Sequence, residues 1–141
     1  VQTFLPFADF TQSAQVLDRQ RLGKQRVENL QILSALIFPS YGWQSHPAVG
    51  IWRGCGRLFL AYQTAICTEW TRRGYADSCL EKTHKLLADR QLLDGVPTVL
   101  GHEPFHAAHR AALLYKNFDH YKQFDWLETP KLEYIWKLPQ T

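Results

Sequence analysis

Apolar residues recur every three to four positions from Ile51 to Trp70, through Cys55, Phe59, Tyr62 and Ile66, and this spacing predicts an amphipathic helix. Ser45 and Pro47 supply start signals, and Gly74 stands just past its end. Gly54 and Gly56 weaken its first turns by about 1 kcal/mol each relative to Ala, so a start nearer Arg57 is the alternative. A first helical region begins near Asp9 or Thr11, with Ala14 and Leu17 ahead of a polar block and Val27, Leu30, Leu33 and Ile37 behind it. A third runs from Asp77 or Ser78 to Leu93, and a fourth starts at Pro104, a favoured first-turn residue, and carries Phe105, Ala108, Ala112 and Leu113. No alternating segment is long enough to argue for a sheet, so the expected fold is all-α, one helical domain over residues 1–141. From Asp125 onward the chain holds Trp126, Pro130, Tyr134, Trp136 and Pro139, too aromatic for a solvated tail and expected to pack on the body.

The polar block 18–26, Asp-Arg-Gln-Arg-Leu-Gly-Lys-Gln-Arg, breaks the first region's pattern. The stripes on its two sides are out of phase, and only Leu22 could join them. Either the helix kinks near Gly23, or this stretch faces something polar. Solvated turns with ion pairs such as Asp18 to Arg21 would account for it, and so would a phosphate-contacting surface beside a site.

Composition narrows the class: 141 residues, 45% hydrophobic and 21% charged, fit one globular domain and exclude a disordered or collagen-like chain. Three cysteines, Cys55, Cys67 and Cys79, match neither a disulfide framework nor a zinc pattern, which fits a reducing compartment. No apolar run is long enough for a membrane span and no secretory leader opens the chain, so the expectation is a soluble, cytoplasmic protein without membrane contact.

Net charge is +3, unevenly spread. Residues 1–75 hold eight Lys and Arg against four Asp and Glu, whereas residues 76–141 hold eight against nine. Seven of the first eight are Arg, including Arg19, Arg21, Arg26, Arg72 and Arg73, with Lys24 the exception. The planar guanidinium fork suits phosphates and base edges, so a polyanionic partner is permitted, although solvated helix faces carry similar charge. His102, His106 and His109, spaced four and three apart, would share a helix face that His46 could join. That admits a His-based metal-dependent hydrolase, but no Cys or carboxylate sits at a recognised offset, and no metal or other cofactor is expected.

Several segments together resemble the pyrimidine-dimer DNA glycosylases of the phage endonuclease V type. They are the opening Val1-Gln-Thr-Phe-Leu-Pro, the arginine-bearing first helix, the Ser-His-Pro turn at 45–47, residues 58–74 and, more weakly, residues 105–116 with the aromatic C-terminus. The resemblance implies a small all-α protein acting on DNA as a glycosylase with AP-lyase activity. Its N-terminal α-amine would attack deoxyribose C1′, the base would leave, and the resulting imine would eliminate. An α-amine, with a reference pKa of about 7.8, is roughly one-seventh neutral at pH 7, against about one in 2,500 for a lysine, so it needs little tuning as a nucleophile.

The resemblance also implies a glutamate on the first helix, flanked by Arg. With Val1 on the nucleophilic position that column falls at Arg21 or Leu22, where no carboxylate stands; Asp18 lies one turn before and Glu28 two turns after. The candidate catalytic set is therefore Val1, Arg21, His46 and His106, with the histidines as proton shuttles or phosphate donors. Arg19, Arg21, Lys24, Arg26, Arg72 and Arg73 are the candidate DNA contacts. Tyr41 and Trp43, in a glycine-containing loop beside His46, are candidates for stacking on an extruded base. A catalytically inert nucleic-acid-binding module on the same scaffold is the alternative that the missing glutamate favours.

Overall fold

The computed structural model describes residues 1–139. Among them are seven α-helices and no strand: α1 (Phe10–Val16), α2 (Arg19–Ile37), α3 (Pro47–Gly50), α4 (Gly56–Arg72), α5 (Cys79–Leu87), α6 (Glu103–Lys116) and α7 (Phe118–Tyr121), followed by a 3₁₀ turn, Lys122–Phe124. The expected all-α architecture is the one observed. α4 packs against α1, α2 and α5, and buries Phe59, Tyr62 and Ile66 from its apolar stripe. Trp52 stacks on Tyr62 with ring centroids 5.3 Å apart, and Phe105 and Tyr121 complete the largest buried side chains.

Three boundaries differ from expectation, each for a local reason. The helix expected from the 51–70 stripe is broken, because Gly54 adopts φ 74°, so α3 is a separate turn and α4 begins at Gly56. The first region breaks at Leu17 and Asp18 rather than at Gly23; there the Tyr121 hydroxyl accepts from the Asp18 N–H (3.0 Å) and hydrogen-bonds the Asp18 carboxylate. Gly23 lies inside α2, where the Trp70 ring packs so closely that a Cβ would meet its Cη2 at 2.8 Å. α5 ends at Leu87, short of Leu93, because the following segment pairs with the α3–α4 turn, the Gly95 N–H donating to the Gly54 carbonyl (2.9 Å).

The aromatic C-terminus does pack on the body. Trp126 stacks on Tyr121 with centroids 5.6 Å apart, and Tyr134 and Trp136 both lie 5.4 Å from the His109 ring.

Candidate active site at the N-terminal amine

Residues 1–7 form no helix or strand, so their backbone groups need partners from elsewhere once buried. Side chains supply them one after another. Gln25 Nε2 donates to the Gln2 carbonyl (2.7 Å), and the Phe4 N–H donates to Gln25 Oε1 (3.1 Å). The Tyr62 hydroxyl donates to the Phe4 carbonyl (2.6 Å). The Leu5 N–H donates to His109 Nδ1 (3.1 Å), while His106 Nδ1 lies 2.8 Å from the Leu5 carbonyl. Arg110 Nη1 donates to the Pro6 carbonyl (2.7 Å), and Ser13 exchanges two hydrogen bonds with the backbone of Phe7. Thr3 Oγ1 donates to the Ala48 carbonyl (2.9 Å), tying the segment to α3 as well.

The segment is thus threaded between α2, α3, α4 and α6, and its end is brought to the polar face of α2. Arg21, Lys24, Gln25 and Glu28 stand at i, i+3, i+4 and i+7, one face of that helix. Of the two alternatives for the polar block, the second holds for Gln25, which faces the backbone of residues 2–4, while the expected Asp18–Arg21 ion pair also forms and Arg19, Gln20 and Lys24 are exposed.

The Val1 amine nitrogen lies 3.9 Å from Glu28 Oε1, and the Glu28 side chain is only 14% exposed. Burial raises the Glu28 pKa above the ordinary carboxylate range, opposed by the positive charges of the Val1 amine, Lys24 and Lys116. Gln2, Phe4, Gln20, Arg21, Lys24, Glu28 and Lys116 line a cavity of about 130 Å³ there. Of the two carboxylates near the vacant glutamate column, Glu28 is the one beside the amine. Asp18 is turned away, engaged by Tyr121 and by Arg21 Nη1 (3.2 Å).

The family described as pyrimidine dimer DNA glycosylase matches residues 1–83 of this chain, from Val1 into α5. The chain belongs to that family. No match appears among curated proteins or among solved structures. Membership in the pyrimidine dimer DNA glycosylase family supports a DNA glycosylase-type repair role. The matched span contains Val1, Arg21, Lys24, Gln25, Glu28 and His46; His106, Lys116 and the aromatic C-terminus lie beyond it.

His46 caps α3, its Nδ1 accepting from the Ala48 N–H (3.0 Å), which puts the proton of the neutral ring on Nε2. Burial, and then the positive Val1 amine, lower its pKa. His46 thus feels the charge of the Val1 amine, although it does not line the cavity beside Glu28. His106 is buried, and its Nε2 accepts from the Gly101 N–H (2.8 Å) while Nδ1 serves Leu5. With both ring nitrogens committed to the backbone, His106 anchors the N-terminal segment and has no free nitrogen for a substrate proton. The same commitments remove His106 as a metal ligand. Among the described residues no group of three or more His, Cys, Asp and Glu side chains is placed to hold a metal.

The cations divide as well. Arg21 and Lys24 line the cavity and Arg19 is exposed nearby at the start of α2. Arg26 is instead a structural residue, paired with the buried Asp77 carboxylate and stacked 4.5 Å above the Trp70 ring. Arg72 and Arg73 converge on Glu69, at 2.6 and 2.7 Å, and Arg73 also reaches the Gln15 carbonyl at 3.1 Å. These three owe their places to carboxylate partners, a reason for arginine that the charge pattern alone could not separate from DNA contact.

Tyr41 and Trp43 are exposed in the α2–α3 loop, Trp43 in the left-handed region at φ 70° with its ring edge-on to His46 at 5.9 Å. A non-glycine residue in that conformation costs of order 1–3 kcal/mol, which the surrounding loop must offset. Lys116, Gln25 and the buried Tyr134 hydroxyl, near Gln2 and Arg21, are site neighbours that the sequence reading passed over. Only the out-of-phase polar block pointed toward any of them. No described helix is long and apolar enough to cross a membrane.

Proposed function

We propose that the protein is a DNA glycosylase with AP-lyase activity on damaged or modified pyrimidines, with the α-amine of Val1 as nucleophile and Glu28 as its proton-handling partner. The observation that carries this reading is the 3.9 Å approach of the amine to a desolvated carboxylate on the α2 face that also holds Arg21 and Lys24. The amine nitrogen attacks C1′ as the glycosidic C–N bond breaks, and the base leaves with the bonding pair and takes up a proton. Glu28 accepts the proton that the nitrogen loses. A carboxylate whose pKa is raised toward the working pH is the better base and the better stabiliser of the sugar cation. O4′ then leaves C1′ with a proton, giving the imine. Removal of a C2′ proton expels the 3′ phosphate and cuts the strand.

His46, with its proton on Nε2, is the donor for the departing base or O4′. Arg21, Lys24 and Lys116 hold the flanking phosphates, Arg19 extends that contact, and Tyr41 and Trp43 stack on an extruded base. A cytoplasmic location in contact with the chromosome follows from this substrate.

The test uses untagged protein whose N-terminus has been confirmed by intact mass. It is incubated with duplexes carrying an abasic site, a cyclobutane dimer or no lesion, in the presence of borohydride. A covalent adduct mapped to residue 1, and lost on acetylation of the amine, is expected. A folded protein with a free terminus that yields no adduct on any duplex overturns the reading and favours the inert DNA-binding module, whose mark is salt-dependent binding without trapping.

A further inference from the structure

The N-terminal segment is held at many points: Trp52 and Tyr62 add one bond each to Thr3 and Phe4, but Gln25 alone bonds the backbone of two residues next to the amine. Thr3 is tied to Ala48, and Gln2 and Phe4 are both tied to Gln25. The Gln25 side chain offers one acceptor and one donor to successive backbone groups of an extended segment, as a neighbouring strand would. It sits three residues before Glu28 on the same helix, so one rigid turn fixes both the carbonyl of Gln2 and the carboxylate beside Val1.

A buried relay fixes which way the Gln25 amide points. The Phe4 N–H can only donate, so it selects Oε1, and Nε2 must face Gln2 and Asn29. Gln25 Nε2 also donates to Asn29 Oδ1 (2.8 Å), and Asn29 Nδ2 donates to Gln63 Oε1 (2.8 Å). Gln63 Nε2 donates to the Arg26 carbonyl (3.0 Å) and to Thr83 Oγ1 (3.1 Å), and Thr83 closes the chain on the Cys79 carbonyl (2.7 Å). Gln25, Asn29 and Gln63 are all essentially without solvent exposure, and every amide in the chain donates onward in one direction. Three buried primary amides are costly to retain in a core unless their orientation matters.

We propose that Gln25, oriented by the Asn29–Gln63–Thr83 relay, is the positioning residue that sets the Val1 amine in register with Glu28. The inference rests on the reading of Val1 as nucleophile. Gln25 touches no reacting atom; it acts through the backbone of Gln2 and Phe4. Loss of its two contacts lets the first residues slide along α2, and a misplacement of about 1 Å costs on the order of 100-fold in rate.

The experiment measures single-turnover borohydride trapping on an abasic duplex, with DNA affinity and melting temperature, for wild type, Gln25→Leu, Gln25→Glu, Asn29→Leu and Thr83→Val. The expected result is a trapping rate about 100-fold lower for Gln25→Leu with DNA affinity held within about three-fold. Gln25→Glu, which keeps the acceptor but loses the donor, falls in the same way. Asn29→Leu falls less, and Thr83→Val, at the far end of the relay, falls least. The acid limb of the pH profile moves upward in the Gln25 variants, because Glu28 loses the nearby ammonium charge. Wild-type trapping by Gln25→Leu and Gln25→Glu overturns the inference, as do losses along the series that follow melting temperature instead of distance from the amine. If Gln25→Leu does not fold, Gln25→Glu and Asn29→Leu decide the matter by the same criteria. Wild-type protein that gives no adduct at residue 1 brings down the nucleophile reading itself, a separate outcome from wild-type trapping that is insensitive to Gln25.

Discussion

Glu28 and Glu69 are both helical glutamates with cations around them, yet their environments are nearly opposite. Glu69 accepts from Arg72 and Arg73 at 2.6–2.7 Å, and its side chain is 4% exposed. Burial pushes its pKa up, but the two guanidinium groups outweigh burial and leave it below the ordinary range. Glu28 has three ammonium groups around it, and the nearest ion pair is the Val1 amine at 3.9 Å. There burial wins, and the pKa is raised. A carboxylate saturated by forked donors is a strut. One that is desolvated but incompletely paired has lone pairs left for a substrate proton, and this one stands beside the Val1 amine proposed as the nucleophile.

Exchanging each carboxylate for its amide separates the two. Glu28→Gln is expected to lower imine trapping by about 10²–10⁴-fold, the usual span for a proton-handling group, with little change in melting temperature. Glu69→Gln should do the reverse. It leaves Arg73 without its carboxylate beside the Ala14 and Gln15 carbonyls, at a cost of about 2 kcal/mol, reduced from the range for buried pairs because Arg72 is largely exposed. Trapping per folded molecule should then match wild type. Equal losses of trapping in both variants would mean that the contrast carries no functional information.

Acid should weaken the grip on the N-terminal segment before it affects the Glu69 cluster. Burial lowers the His109 pKa to about 3, and burial likewise lowers that of His106. Both are held neutral against the Leu5 backbone, His106 also accepting from Gly101. Groups depressed on folding contribute stability that is complete above their unfolded value of about 6.5 and lost as pH falls from there toward the folded values. Glu69, also depressed, loses its contribution only below the ordinary carboxylate range. Chemical denaturation between pH 7 and pH 5 should therefore show a decline in stability that His109→Gln reduces and Glu69→Gln leaves in place. A flat profile over that interval would contradict the clamp.

The sequence shows some of this plainly and the rest not at all, for a reason of range. The α4 stripe and the proline start of α6 are local signals, and both are found. The Glu69, Arg72 and Arg73 spacing of three and four residues is also local, and it gives an ion-pair reason for two arginines that are also candidate DNA contacts. The site is different. Phe4 meets Gln25 across 21 residues, Tyr62 across 58, and Leu5 meets His109 across 104. Nothing in the spacing of His106 and His109 distinguishes a pair that grips a backbone from a pair that binds a metal. What remained visible was a phase error: a polar block where α2 should have been apolar. One of its residues, Gln25, turns inward to the N-terminal segment, and the carboxylate beside the amine sits two turns beyond where the family pattern places it.

The smallest expected effect concerns DNA binding, and it asks whether the cations around the two glutamates differ in use as their geometry suggests. Lys24 stands on the cavity rim, exposed and without a close carboxylate partner among the described residues, whereas Arg72 is bonded twice to Glu69. A cation that neutralises a phosphate releases about one counterion, so its removal lowers the salt dependence of binding by about one unit of log K per log salt. Lys24→Ala should show that reduced slope with a several-fold weaker affinity at low salt, and Arg72→Ala should leave both unchanged. The slope is the sharper measurement, since affinity alone would also respond to a disturbed fold. If Arg72→Ala reduces the slope as much as Lys24→Ala, the α4 terminus contacts DNA despite its internal pairing, and the interface extends from the α2 face across to the end of α4.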